Sequence, residues 1–381
     1  MKKNLMLNDE INSKNREILI LCNNLKNELN YNLNNTNKNE NRKKRIAIIY
    51  DIDGWAFHNI AIQIQKNLSN EFNIDIIPVG VFDDNIVKLV FLAQNYDLVH
   101  CLWRGLISCL DNQFTREYIN NLGLTFEEFL EKYFNRVKFT TSVYDHNFLT
   151  EDTICYTKSF IKYVKNYTVS SGCLMNIYEN MQLEKKPIIV ISDGVDLNKF
   201  IPKNLKRFDD IENRKIVIGW VGNSKFLDSE KDEDLKGLRK IINPVLNELI
   251  KEGQPIEIKF ADRNQKYIPH HEMPEYYDSI DLYICASKTE GTPNPVLEAM
   301  AMGVPIISTD VGIVSDAFGE VQKDFILKSR TRESLKNKIT ELINNRQMFK
   351  KLSLENLEQI KSWSWEIKCE KFADFFRKNL K

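Results

Sequence analysis

Charge of either sign is not in excess in this sequence: Lys+Arg and Asp+Glu each number 53 over 381 residues, so the formal charge is zero. Nucleic-acid affinity rests largely on neutralising phosphates. The balance therefore argues against a dedicated DNA or RNA binder, while leaving room for one local basic site that meets a small phosphate. Long apolar runs are missing too. No stretch approaches the roughly 20 residues needed to cross a bilayer, and Asn4, Asn8, Asp9 and Glu10 leave no apolar core for an export signal behind Met1-Lys2-Lys3. Paired cysteine spacing is absent as well. The seven cysteines (Cys22, Cys101, Cys109, Cys155, Cys173, Cys285, Cys369) are scattered and never form C-x-x-C, which reads as free thiols in a reducing cytoplasm. Nor does any repeat of roughly 20–50 residues recur.

What is present is enough chain for two domains, with 43% hydrophobic and 28% charged residues in an ordinary globular mixture. Residues 1–43 form a helical and Asn-rich extension. Ile18, Leu19, Leu21, Leu25 and Leu29 suit a helix within 11–29, ten asparagines fill Asn23 to Asn41, and Arg42-Lys43-Lys44-Arg45 closes the segment. That basic run reads as a solvated approach to a strand; contact with an anionic membrane surface is left open.

Strands then alternate with helices. Arg45–Tyr50, Ile74–Val79, Leu98–Cys101, Val137–Tyr144 and Pro187–Ile191 read as strands. Helices are expected at Trp55–Leu68 (burying Ile60, Ile62, Ile64 and Leu68), Asn85–Gln94, Phe126–Tyr133, Thr157–Val164 and Leu174–Met181. After turn chemistry at Ser192–Asp196 and a polar linker the pattern restarts at Lys215–Val221. Helix Leu235–Leu249, strands Ile256–Phe260 and Asp281–Cys285, helix Pro295–Met302, strand Val304–Ser308 and a nearly all-helical 331–379 follow. Such alternation means parallel sheets with helices on both faces. The expected organisation is an N-terminal Rossmann-like domain at 44–192, a linker at 193–214, a C-terminal Rossmann-like domain at 215–360 and a last helix at 361–381. Ligands bind such sheets at the carboxyl ends of the strands, so the active site is expected in the cleft between domains. Trp363, Trp365, Phe372, Phe375 and Phe376 should dock the last helix onto the core.

The sharpest local signal is Glu290-Gly291-Thr292-Pro293-Asn294-Pro295-Val296-Leu297-Glu298, running from a strand into a helix. Gly291 permits close backbone approach, Pro295 suits the first helical position, and Asn294 suits the N-cap. The first-turn N–H groups then form an anion or hydroxyl site, with Glu290 before the helix end and Glu298 one turn inside. A capping box would need its acid at Leu297.

These residues, with Ala299-Met300-Ala301-Met302-Gly303-Val304-Pro305 behind them, resemble the E-x7-E region of glycosyltransferase family 4. That family has the GT-B fold: two Rossmann-like doubly wound domains facing across a cleft, a C-terminal helix crossing back, and no G-x-G-x-x-G. Gly194-Val195-Asp196 with Phe200 and Pro202, Val221-Gly222 with Lys236-Gly237-Leu238, and Met273-Tyr276-Tyr277 with Ser279–Leu282 resemble further segments of it. The resemblance is close over 187–320 and loose over 45–186. It implies a retaining transferase that moves a hexosyl-type sugar from a nucleotide sugar, UDP- or GDP-linked, to a carbohydrate or lipid-linked acceptor without a metal. Lys236 would stabilise the diphosphate leaving group, and Glu290 would hold the donor sugar near its reacting carbon. Glu298 would accept from the ribose hydroxyls, and Gly291, Thr292, Pro293 and Asn294 would meet sugar or phosphate. Gly222 belongs to the phosphate loop, and Gly54 would let the N-terminal loop approach the diphosphate.

The sequence also departs from the family. No arginine lies between Gly222 and Lys236, so Lys225, with Lys231 behind it, is the substitute; lysine offers a point charge where arginine offers a fork. His100, Asp145 and His146 are the acceptor-side candidates, but Leu102 and Tyr144 stand where histidines are usual. His270-His271 is placed beside the nucleobase. Asp51-Ile52-Asp53 reads as a local cap rather than a metal pair. A non-catalytic GT-B subunit binding a partner transferase or glycan, or a nucleotide-sugar epimerase, is the alternative reading. The expected location is cytoplasmic, with peripheral contact at the inner membrane face left open.

Overall fold

The computed structural model describes residues 42–225 and 234–381. The helix expected within 11–29, and Lys231, lie outside those residues. The chain divides into two compact units. One runs to Thr141 and takes in Tyr163–Lys165 and Lys378–Lys381; the other comprises Ser142–Lys162 and Asn166–Arg377.

Two five-stranded sheets carry the described fold. The first holds β1 (Arg45–Tyr50), β2 (Asn73–Pro78), β3 (Leu98–Cys101), β4 (Phe139–Val143) and β5 (Asn166–Val169), in the order β2-β1-β3-β4-β5. The second holds β6 (Ile216–Gly222), β7 (Ile256–Asp262), β8 (Leu282–Cys285), β9 (Ile306–Thr309) and β10 (Ile326–Leu327), in the order β10-β9-β8-β6-β7. Numbered from its own first strand, each sheet is 2-1-3-4-5, the same doubly wound topology twice. The pairings of β1 with β2 and β3, and of β6 with β7 and β8, are parallel. Continuous burial of Ile46–Tyr50, Leu98–Cys101, Leu282–Cys285 and Ile306–Thr309 is what a parallel strand covered on both faces requires.

Helix α1 (Ala56–Leu68) buries Ile60, Ala61, Ile64 and Leu68. Ile62 was expected with them but is exposed, because at 100° per residue it sits on the opposite side from Ile60 and Ile64. The apolar run Pro187–Ile191 is not a strand: only Val190 makes a bridge, to Val169. The fifth strand is instead Asn166–Val169. The helix expected from Leu235 begins later, at Leu238, and becomes regular in α2 (Asn243–Lys251). Asp234–Gly237 forms a turn closed by Gly237 N donating to Asp234 O, with Gly237 at φ +76°, and this leaves Lys236 on a loop.

The basic approach to β1 is matched locally. Arg42 makes a two-pronged pair with Asp97, Arg45 reaches Asp75, and Lys43 donates to the Ser69 carbonyl. In the last helix, α5 (Trp365–Leu380), Phe372, Phe375 and Phe376 are buried, as are Trp363 and Trp365 at its start. Lys138 and Lys165 donate to the Leu380 and Asn379 carbonyls at 2.6 and 3.0 Å, placing cations at the negative end of the helix dipole.

Candidate functional site

In a 2-1-3-4-5 sheet the chain leaves strands 1 and 3 in opposite directions, and the crevice at their carboxyl ends is where ligands bind. In the second sheet those strands are β6 and β8. A cavity of about 200 Å³ sits there, lined by Trp220, Val221 and Gly222 from the end of β6 and by Tyr283, Cys285 and Ser287 along and after β8. Lys236, Glu290, Thr292, Pro293, Asn294 and Pro295 complete its wall. The sequence candidates Gly222, Lys236, Glu290, Thr292, Pro293 and Asn294 thus line one space.

Lys236 is carried by the turn before α2. Lys288 N donates to Leu235 O at 2.8 Å, and Arg330 donates to the carbonyls of Ala286 and Asp234 at 2.8 and 2.6 Å. A Cβ on Gly237 would overlap the Ala286 carbonyl, so only glycine lets this turn lie flat against the exit of β8. The result is Lys236 Nζ 2.5 Å from Glu290 Oε1, with both side chains largely shielded. A cation and a carboxylate are therefore paired in the cavity wall.

The helix following the loop is α3's successor in sequence: α3 spans Met273–Asp278 and α4 spans Asn294–Ala301. Asn294 is not the N-cap of α4. Pro293 holds that position without a side-chain cap bond, and the Asn294 amide donates instead to Asp193 Oδ2 at 3.1 Å. Asp193 N reaches Thr292 Oγ1 at 3.4 Å, so the loop is tied to the Asp193-Gly194 turn through both Thr292 and Asn294. Burial raises the Asp193 carboxyl to about 7, while the Asn294 hydrogen bond and the Lys368 charge pull it down. Sequence reading saw only a turn at Asp193; its partners lie about a hundred positions away.

Gly291 is enclosed. A Cβ there would overlap the Tyr144 carbonyl oxygen and crowd Ser170 Oγ. Gly291→Ala should therefore lower stability by about 1–3 kcal/mol through overpacking and displace Glu290 and Thr292. Paired urea titrations with and without UDP would check it; an unchanged midpoint and an unchanged UDP response would contradict the packing argument.

Glu298, one turn inside α4, accepts from Tyr277 Oη through Oε2 and from His270 Nε2 through Oε1, both at 2.9 Å. His270 Nδ1 lies 2.6 Å from Lys199 Nζ. Burial lowers the Lys199 ammonium from its ordinary value, with Glu298 and Asp196 opposing. Tyr277 is fully buried and raised well above the usual phenol range, by burial first and then by the Glu298 charge, so it stays a donor. The sequence placed His270 beside a base but gave no signal for Lys199.

The remaining candidates are elsewhere. Lys225 is exposed, outside the cavity wall, with its backbone N on Asn223 Oδ1. Asp145 accepts from Asn147 N at 2.8 Å, and His146 follows it just beyond Tyr144, whose carbonyl packs on Gly291. In the other unit, Gly54 occupies a turn at φ +74° with its N–H on His58 Nδ1. His100 is wholly buried on β3 with Nδ1 3.0 Å from Thr140 Oγ1, and burial lowers it to about 3. The acceptor-side candidate His100 is thus a buried, neutral imidazole. Tyr50 Oη donates to Asp53 Oδ1 at 2.6 Å, and Asp51 Oδ1 accepts from Ile52 N.

Comparison with known proteins bears on the fold. Residues 251–358 match the family model described as Glycosyl transferases group 1. TuaC of Bacillus subtilis (strain 168), whose name proposes a glycosyltransferase role in teichuronic acid biosynthesis, is 27% identical over 205 residues, 49% of this chain and 50% of its own. The chain spans about half the length of the curated relatives it matches. Among solved structures, sucrose-phosphate synthase from Thermosynechococcus elongatus has a TM-score of 0.62 at 14% identity, covering 88% of this chain and 99% of that one. Anabaena HepE in complex with UDP has a TM-score of 0.60 at 11% identity, covering 88% and 100%. These likenesses show the GT-B fold expected from the sequence.

Proposed function

We propose that this chain is a glycosyltransferase that moves a sugar from a UDP- or GDP-linked donor to a carbohydrate or lipid-linked acceptor, with retention at the anomeric carbon. The observation that carries this reading is the meeting of Lys236, Glu290 and the Thr292–Pro295 loop in one cavity at the β6/β8 crevice. The matched family model and the transferase names of the relatives favour it over a non-catalytic subunit or an epimerase. HepE, solved with UDP and with UDP-glucose, supports a nucleotide-sugar donor.

In this reading Lys236 leaves Glu290 for the diphosphate as negative charge develops on it, joined by the amide dipoles at the start of α4. Glu290, so released, accepts from hydroxyls of the donor sugar. Glu298 accepts from the ribose. Asp145 and His146, beyond Tyr144, belong to the acceptor side. No step is assigned to a metal ion. No described helix is long and apolar enough to cross a membrane; a lipid-linked acceptor would be met at the inner membrane face.

A thermal-shift panel of UDP, GDP and their sugar conjugates tests the reading. A ligand that binds only the folded state stabilises it by about 2.7 kcal/mol at a hundredfold excess over Kd. One nucleotide series should raise the melting temperature of the wild type and leave Glu298→Ala unmoved. A shift of equal size in both proteins would remove the ribose assignment, and no shift in either would remove the transferase reading.

A further inference from the structure

The geometry points to a hydrogen-bonded relay, Lys199 to His270 to Glu298, that orients the Glu298 carboxylate and makes this site selective for nucleotides carrying both ribose hydroxyls over their deoxy forms. The inference rests on the proposed nucleotide-sugar reading and deepens it, naming two positioning residues that the E-x7-E pattern does not contain.

The argument begins with what each group can do. A lysine ammonium has three donors and no acceptor. At 2.6 Å from His270 Nδ1, the Lys199 ammonium must donate, so Nδ1 accepts and the imidazole proton sits on Nε2. That N–H points at Glu298 Oε1, 2.9 Å away. On the other side, the buried Tyr277 hydroxyl donates to Oε2 at 2.9 Å. An ionised carboxylate has about four lone-pair positions, and among the described residues these two donors occupy one on each oxygen. One acceptor position per oxygen is left, side by side, which matches the two neighbouring hydroxyls of a ribose.

The supports are unequal. Tyr277 is rigid: its ring packs edge-on to Tyr276 and Tyr283, with centroids 5.5 and 6.3 Å away. His270 is half exposed and sits in a single 3₁₀ turn, His270–Glu272, just before α3. Its ring leans on Phe200, with centroids 5.6 Å apart, and Lys199 precedes that phenylalanine. Lys199-Phe200 therefore fixes both the tautomer and the tilt of His270. Without it the carboxylate keeps only the Tyr277 tether and is free to turn about its last torsion. Two-point recognition of a diol is lost by such a rotation, whereas single contacts to base or diphosphate are not.

The test is calorimetric binding of UDP, 2′-deoxy-UDP, GDP and 2′-deoxy-GDP to the full chain, comparing wild type with His270→Ala, His270→Gln and Lys199→Met. A hydrogen bond to a charged acceptor is worth about a tenfold change or more in affinity, so the wild type should prefer the ribose form of its nucleotide by at least about tenfold. His270→Ala and Lys199→Met should bring that ratio to within about twofold of unity, mainly by weakening the ribose form. His270→Gln, whose amide can accept from Lys199 and donate to Glu298, should restore much of the preference. Ribose preference that persists in both His270→Ala and Lys199→Met, or an equal loss of ribose and deoxy binding, overturns the relay while leaving the nucleotide-sugar reading in place. A wild type that binds none of the four probes overturns both.

Discussion

Replacing Lys236 with methionine should lower turnover of the nucleotide-sugar donor by roughly 10²–10³-fold, the loss that follows removal of one fixed electrostatic contact to a developing charge. Lys236 is the only lysine in the cavity wall among the described residues, and Lys225, the substitute expected for the missing upstream arginine, is outside it. Among the described residues no second lysine lines the cavity to share the diphosphate. Methionine keeps the length and packing of the side chain while removing the charge. It also leaves Glu290 without its 2.5 Å partner, so part of any effect could arise from an uncompensated, shielded carboxylate. The double variant Lys236→Met/Glu290→Gln relieves the stranded charge and should recover the stability lost in the single variant, which measures that part of the effect. Donor hydrolysis without acceptor, followed as kcat and KM, is the measurement. A loss smaller than about fivefold in the single variant would show that the diphosphate is held elsewhere.

What could be read from the sequence was local. Glu290 and Glu298 are eight positions apart at a strand-to-helix junction, the first in the loop before α4 and the second one turn inside it. Long buried strands such as Arg45–Tyr50 were equally plain. The errors arose where a distant partner decides the outcome. Asn166–Val169 is a strand because an edge of the first sheet is available to it; the more apolar Pro187–Ile191 exchanges backbone hydrogen bonds with Tyr167 and Val169 but forms only one bridge. Asn294 has the chemistry of an N-cap, but a buried carboxylate 101 positions earlier claims its amide. Lys199 stands 71 positions from His270, which stands 28 from Glu298, and no short-range rule joins them. His100 lies near the end of β3, as expected, and its imidazole is wholly buried beside Thr140.

Asp193 should make the stability of the site depend on pH. Its carboxyl is buried, has Oδ1 without a hydrogen-bond partner among the described residues, and is raised from 3.8 to about 7, mainly by desolvation. A carboxyl whose folded value lies above its unfolded value contributes stability that is fully present below about pH 4 and lost as pH rises through 7, because the folded state binds the extra proton. Asp193→Asn removes that titration while keeping the shape and an oxygen for Asn294. The stability of the variant relative to the wild type should therefore rise by about 2–3 kcal/mol between pH 5 and pH 7.5. The facing groups do not reverse the sign in this window. Tyr144 stays neutral, being raised well above 10 by burial and by Asp193. Lys368, lowered to about 8 by burial, remains mostly protonated up to pH 7.5 and already contributes to the Asp193 value. Urea unfolding of both proteins at pH 5, 6 and 7.5 reads the difference directly. If the gap between them stays flat across these three conditions, Asp193 is ionised throughout, and the tie it makes to Asn294 is an ordinary charge-assisted hydrogen bond rather than a proton-dependent hold on the donor loop.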